Sequence, residues 1–201
     1  MIHLEVLVEE RSAEPVVRRI ANDVLPAGAT VEVRVFDGKQ DLLASLDERL
    51  RGYRYWGLDG LRVLVLIDRD DDDCQGLKQR LEAAAHGAGL TTRSTAVDGW
   101  FHVCNRIAIE ELEAWFLGDE AALQAEFPRL ASFANKQKFR DPDAVPGAWE
   151  ALEKLLQLRG YYRSGLRKVD LATRIAPHLH LDNNRSASFN AFVGGVRSLV
   201  S

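Results

Sequence analysis

The run Arg62-Val63-Leu64-Val65-Leu66-Ile67-Asp68-Arg69-Asp70 is almost wholly apolar up to Ile67 and then breaks into carboxylates. An aliphatic run of this kind is expected of a central parallel strand covered on both faces. Its surroundings agree. Upstream, Ile2–Val8 is a short apolar run that ends in Glu9-Glu10. Residues 13–25 repeat apolar positions at helical spacing, with Ser12 placed as N-cap and Pro15 in the first turn. Pro26 and Gly28 stop that helix. Thr30–Phe36 alternates with period two, as a strand with one polar face does, and Asp41–Arg51 is helical. Downstream, Cys74–Ala88 predicts a helix, Phe101–Ile107 a strand and Glu110–Phe116 a helix. Strands alternating with helices of this length give βαβ units and a mostly parallel sheet flanked by helices, an α/β fold.

The pattern changes near residue 118. Residues 119–128, 146–160, 166–177 and 186–200 read as short helices separated by Pro128, Asp141-Pro142, Pro146-Gly147 and Asp182-Asn183-Asn184. Residues 1–118 are therefore expected to form the α/β core, and 119–201 a C-terminal helical extension packed on it.

The 201 residues are enough for a core without disulfide or metal staples. The net charge of −4, from 26 basic and 30 acidic residues, argues at first sight against a nucleic-acid partner. The sum hides a split. Residues 1–127 hold 14 Lys and Arg against 24 Asp and Glu, whereas 128–201 hold 12 against 6. The front half is thus at −10 and the back half at +6. No apolar run approaches the roughly 18–20 residues of a membrane span. The N-terminus lacks the basic and apolar regions of a secretory signal. Cys74 and Cys104 have no metal or disulfide spacing, which together with the missing signal reads as a cytoplasmic protein with two free thiols.

In open α/β sheets ligands sit beyond the carboxyl ends of the strands. Glu9 and Glu10 follow the first strand, and Asp68-Arg69-Asp70 with Asp71, Asp72 and Asp73 follows the central one. Two carboxylate clusters at one sheet edge repel unless a cation neutralises them. Mg²⁺ (or Mn²⁺) suits such hard oxygen ligands, and could clamp a phosphodiester and activate water. Glu9, Asp68 and Asp70 are the candidate catalytic and metal-ligating residues, with Asp68 and Asp70 on one side of an extended chain. Glu9 could also serve as a general base. Asp71–Asp73 has an alternative reading as the acidic first turn of the helix that follows. Glu110 and Glu113 share one face of the predicted 110–116 helix; Glu110 is the further metal candidate, and Glu113 is left open between site and solvent. In the basic half, Arg163, Arg167 and Lys168 are candidate phosphate contacts, joined by Lys39 after the second strand. Tyr161 and Tyr162 either stack on bases or pack inward.

The segments Leu7-Val8-Glu9-Glu10-Arg11-Ser12-Ala13-Glu14 and Val65-Leu66-Ile67-Asp68-Arg69-Asp70 resemble the glutamate-then-DxD pattern of Toprim proteins. More closely, the chain resembles the Toprim-like DUF4276 family. The further matches are Asp68–Cys74 leading into Leu77-Lys78, the block Asn105-Arg106-Ile107-Ala108-Ile109-Glu110-Glu111-Leu112-Glu113-Ala114-Trp115-Phe116, Tyr161-Tyr162 through Lys168, and Asn184-Arg185-Ser186-Ala187-Ser188-Phe189. The resemblance implies a Toprim-like sheet and a Mg²⁺-dependent nuclease-like role on nucleic acid, with an ATPase partner protein and a part in phage defence. Two positions depart from the general Toprim segment. Glu10 stands where that segment has glycine, and Ala13 where it has a second glutamate, with Glu14 one place later. One residue is about 100° of helical rotation, so Glu14 is not expected to reach the second carboxylate's place. The alternative implied by these departures is a catalytically weak or inactive partner-binding module.

Overall fold

The structure is a computed structural model that describes residues 1–57 and 59–201. Four strands form one parallel sheet: β1 (His3–Val8), β2 (Thr30–Val35), β3 (Leu61–Asp68) and β4 (Val103–Ala108). Their order across the sheet is β2-β1-β3-β4. The mostly parallel α/β expectation therefore holds, and every pairing in the sheet is parallel. Helix α1 (Ala13–Val24) connects β1 to β2, α2 (Lys39–Tyr55) connects β2 to β3, and α3 (Cys74–Gly87) connects β3 to β4.

Side-chain alternation along the strands sorts these helices onto opposite faces. Leu64 and Leu66 of β3 join Val16, Val17 and Ile20 of α1 in one buried cluster. Val63, Val65 and Ile67 join Leu42 and Leu46 of α2 and Leu77 and Leu81 of α3 in the other. The α1 connection runs outward from β1 to β2 and the α2 connection returns past β1 to β3, so the order of strands reverses between β1 and β3. That is the position at which open α/β sheets form a crevice beyond the strand ends.

The remaining chain forms α4 (Glu113–Leu117), α5 (Glu120–Glu126), α6 (Ala148–Gln157), α7 (Lys168–Ile175) and α8 (Ala187–Val200), with single 3-10 turns between some of them. Their apolar faces (Leu152, Leu171, Phe189 and Phe192 among them) merge with the cluster that holds α1. No helix among the described residues is long and apolar enough to cross a membrane.

The largest local departure from expectation lies at residues 110–112. The helix read over 110–116 starts only at Glu113, and Glu110 adopts a left-handed φ of 63°. The cause is the sheet. Arg69 N–H donates to Ala108 O at 2.8 Å and Asp70 N–H to Glu110 O at 2.9 Å, so the β3–β4 ladder runs on past both strands and holds Glu110 out of a helix. Ser12 stands at the N-cap of α1 as expected, but its hydroxyl donates to the Glu10 carboxylate and caps no backbone N–H.

Candidate metal centre

Glu9 is the first residue beyond β1 and Asp68 the last of β3. Val8 lies opposite Leu66 in the register, which brings the two carboxylates to adjacent strand ends at the crevice. Asp68 is only 6 % exposed. Burial pushes its carboxyl well above the usual range, and the neighbouring charges of Glu9, Glu113, Glu10 and Asp70 push it further. Glu9 is pushed up to about 7, first by burial and then by Asp70. One of its oxygens, Oε2, is buried without a hydrogen-bond partner.

Glu113, left open on sequence grounds, proves to be the most enclosed of the group at 0 % exposure. Neither of its carboxylate oxygens has a hydrogen-bond partner. Burial raises it to about 7 against the pull of the Lys168 ammonium. Lys168 Nζ lies 3.5 Å from Glu113 Oε2 and 3.9 Å from Glu10 Oε2, and stands 5.2 Å from the Trp149 ring centroid. Burial works against the Lys168 charge, but Glu113, Glu10 and Glu111 outweigh it and hold its pKa above the ordinary value. Glu113 opens a five-residue helix that is buried all round, so no polar face in the sequence singles it out.

The other candidates fall around this centre or away from it. Asp70 does not continue the extended chain. It takes a φ of 48° and turns its carboxylate to Lys39 Nζ at 2.7 Å. Lys39 also donates to Asp72 Oδ2 at 2.8 Å and to Arg69 O at 3.0 Å. The expectation that Asp68 and Asp70 share one side of an extended segment is corrected accordingly, because the 69–70 backbone bends to stay paired with residues 108–110. Glu110 is bound by Arg69, and the shared helix face with Glu113 does not exist. Asp73 is the N-cap of α3, accepting from Gly76 N–H at 2.7 Å, which is the structural reading of the acidic turn. Glu14 binds Arg18 Nε at 2.8 Å along α1.

Of the basic candidates, Lys39 and Lys168 stand at the carboxylates. Arg167 is 79 % exposed and pairs with Asp170 at 3.5 Å, and Arg163 is exposed, its guanidinium near Gly160. Tyr161 and Tyr162 pack their rings on Phe127 with centroids 4.8 and 5.9 Å away, and Tyr162 donates to Asp170 at 2.8 Å. They take the inward-packed alternative.

Among the described residues no group of three or more His, Cys, Asp or Glu side chains stands together in a metal-holding arrangement. A Mg²⁺ ion, however, is held through one or two carboxylates and keeps several waters. Buried, mutually repelling carboxylates with orphaned oxygens at Glu9 and Glu113 fit such a hard cation. Two lysines now share the neutralisation.

The model of the family described as "Domain of unknown function (DUF4276)" matches residues 8–197. No curated protein and no solved structure matches the chain.

Proposed function

The chain belongs to the DUF4276 family, and from that premise and its crevice carboxylates we propose that it is a Toprim-like, divalent-metal-dependent protein acting on nucleic-acid phosphodiesters. One observation carries the reading. Asp68 and Glu113 are buried and Glu9 half-buried at the β1–β3 crevice, each raised in pKa, with unpaired oxygens on Glu9 and Glu113. Structural ion pairs satisfy their carboxylates. Here oxygens of Glu9 and Glu113 lack hydrogen-bond partners, and perturbed carboxyls of this kind cluster at functional sites.

Glu9 and Asp68 would hold one Mg²⁺ or Mn²⁺, with Asp70 and Glu10 at its margin. Bound there, the ion supplies Lewis-acid polarisation of a phosphate oxygen and a more acidic water. The protein's own groups do the rest. Glu113, with a carboxyl near 7, accepts a proton at neutral pH. Lys168 and Lys39 each carry a positive charge to the rim, where they offset a phosphate's charge once the carboxylates turn to the metal.

A second reading has its own observation. Lys39 and Lys168 already neutralise much of the cluster, which suits a module that is quiet alone and completed by a partner, for which the ATPase implied by the resemblance is the candidate. Cleavage assays on DNA and RNA with Mg²⁺ or Mn²⁺ separate the readings. Metal-dependent cleavage by the wild type that Asp68→Ala abolishes supports hydrolysis. Equal cleavage by both proteins removes the catalytic assignment. Metal binding without cleavage favours the partner-completed module.

A further inference from the structure

The sheet has two edges, and the fold treats them differently. The β4 edge is closed. Thr92 bridges to Val103, Lys78 Nζ caps Asn105 O at 3.3 Å, and Arg106 Nε reaches across to Ala191 O of α8 at 2.8 Å. The β2 edge is open. Thr30 and Phe36 donate their N–H groups to Ile2 O and Val8 O of the β1 segment, so the even-numbered residues of β2 pair inward. By alternation Val31, Val33 and Val35 point their N–H and C=O outward. No hydrogen bond to these outward groups occurs among the described residues.

The sequence of that edge fits itself. Val31-Glu32-Val33-Arg34-Val35 read in the opposite direction gives the same pattern with the charges exchanged. In an antiparallel pair of two such strands centred on Val33, Val33 faces Val33 and Val31 faces Val35 as hydrogen-bonded pairs, which uses every outward group. Glu32 then faces Arg34 of the other copy in both non-hydrogen-bonded pairs, where opposed side chains are closest. Within one chain Arg34 donates to Glu5 at 3.2 Å and lies 3.8 Å from Glu32, yet Glu32 and Arg34 remain 43 % and 40 % exposed, so both have surface to bury. Natural edge strands usually carry Lys, Pro or a bulge to block such pairing, and β2 carries none of these. Beside it runs a groove lined by Phe36, Ser45 and Arg49, which continues along α2 to Trp56, 66 % exposed.

We propose that β2 is a self-recognition edge, and that two copies of this chain join through antiparallel β2–β2 pairing about Val33 into one eight-stranded sheet. The pairing lies on the far side of β1 from β3, leaving the crevice between those two strands open in each copy.

The test is the solution mass of the full chain at micromolar concentration by light scattering, with amide exchange read at the same time. The expected mass is twice 22.5 kDa, with the Val31, Val33 and Val35 amides exchanging more slowly as concentration rises. Glu32→Arg sets like charges opposite each other twice per dimer and is expected to weaken association by about tenfold. Val31→Pro, at a half-buried position, removes an outward donor that β1 does not use, and is expected to yield a folded monomer with an unchanged circular dichroism spectrum. A wild-type protein with the mass of one chain overturns the proposal. So does a dimer whose Val31, Val33 and Val35 amides are no slower than in diluted protein, since it would join elsewhere.

Discussion

A carboxyl buried at the end of an apolar strand lowers stability unless a positive charge reaches it. Asp68 is in that position, flanked by Glu9 and Glu113. Asp68→Asn keeps the shape and removes one ionisable carboxyl from the cluster. Without metal at pH 8 it is expected to raise Tm by roughly 2–4 °C, the equivalent of about 1 kcal/mol in a chain of this size. It should also abolish any rise in Tm caused by Mg²⁺, and scanning calorimetry with and without the ion reads both effects. Lys168 is the one cation placed against Glu113 among the described residues. Lys168→Met is expected to cost about 1–3 kcal/mol at pH 8 by urea unfolding, and less at pH 6, where Glu113 is protonated. Glu9 and Asp68 were legible in the sequence because each ends an apolar run, and the fold rule then puts both at one edge. Glu113 was not, because it opens a helix buried on every side, so no polar face marks its position.

The alternation of strands and helices was readable because β3 is apolar on both faces and α1 carries a clean amphipathic stripe. The ends of elements were less readable where long-range backbone bonds override local preference. Glu110 is the clearest case, since the helical pattern around it is real but Asp70 N–H captures its carbonyl. The tyrosine pair shows the same limit in side chains. A basic, aromatic segment reads equally as a nucleic-acid surface or as a packed turn, and only Phe127 beneath the rings separates the two. The acidic run Asp70–Asp73 also divides by position. Asp70 and Asp72 hold Lys39, whereas Asp73 caps α3. Asp73→Ala should therefore cost about 1 kcal/mol of stability and leave the response to Mg²⁺ unchanged, as measured by denaturant titration with and without metal. Loss of the metal response in that variant would assign Asp73 to the site.

The doubly wound sheet gathers Glu9, Glu10, Asp68 and Glu113 from the acidic front half at one crevice and brings Lys168, from the basic back half, against them. The charge division of −10 and +6 thereby becomes a spatial juxtaposition. It also gives the molecule a pH signature. Glu9 and Glu113 have ordinary values of 4.5 and stand near 7 in the folded protein. Between those values the folded chain binds more protons than the unfolded one, so stability falls as pH rises through that window. Metal-free Tm is expected to decline by several degrees from pH 5 to pH 8. A bound cation needs the ionised carboxylates, so Mg²⁺ should restore stability at pH 8 and do little at pH 5. A flat metal-free profile would mean that the carboxyls titrate normally. Calorimetric titration of the wild type and Asp68→Asn with Mn²⁺ and Mg²⁺ at pH 8 bears on the whole reading at once. Saturable binding by the wild type, with proton release and its loss in Asp68→Asn, is the expected result. Absence of binding heat at millimolar metal, or equal binding by both proteins, would contradict a metal centre at the β1–β3 crevice.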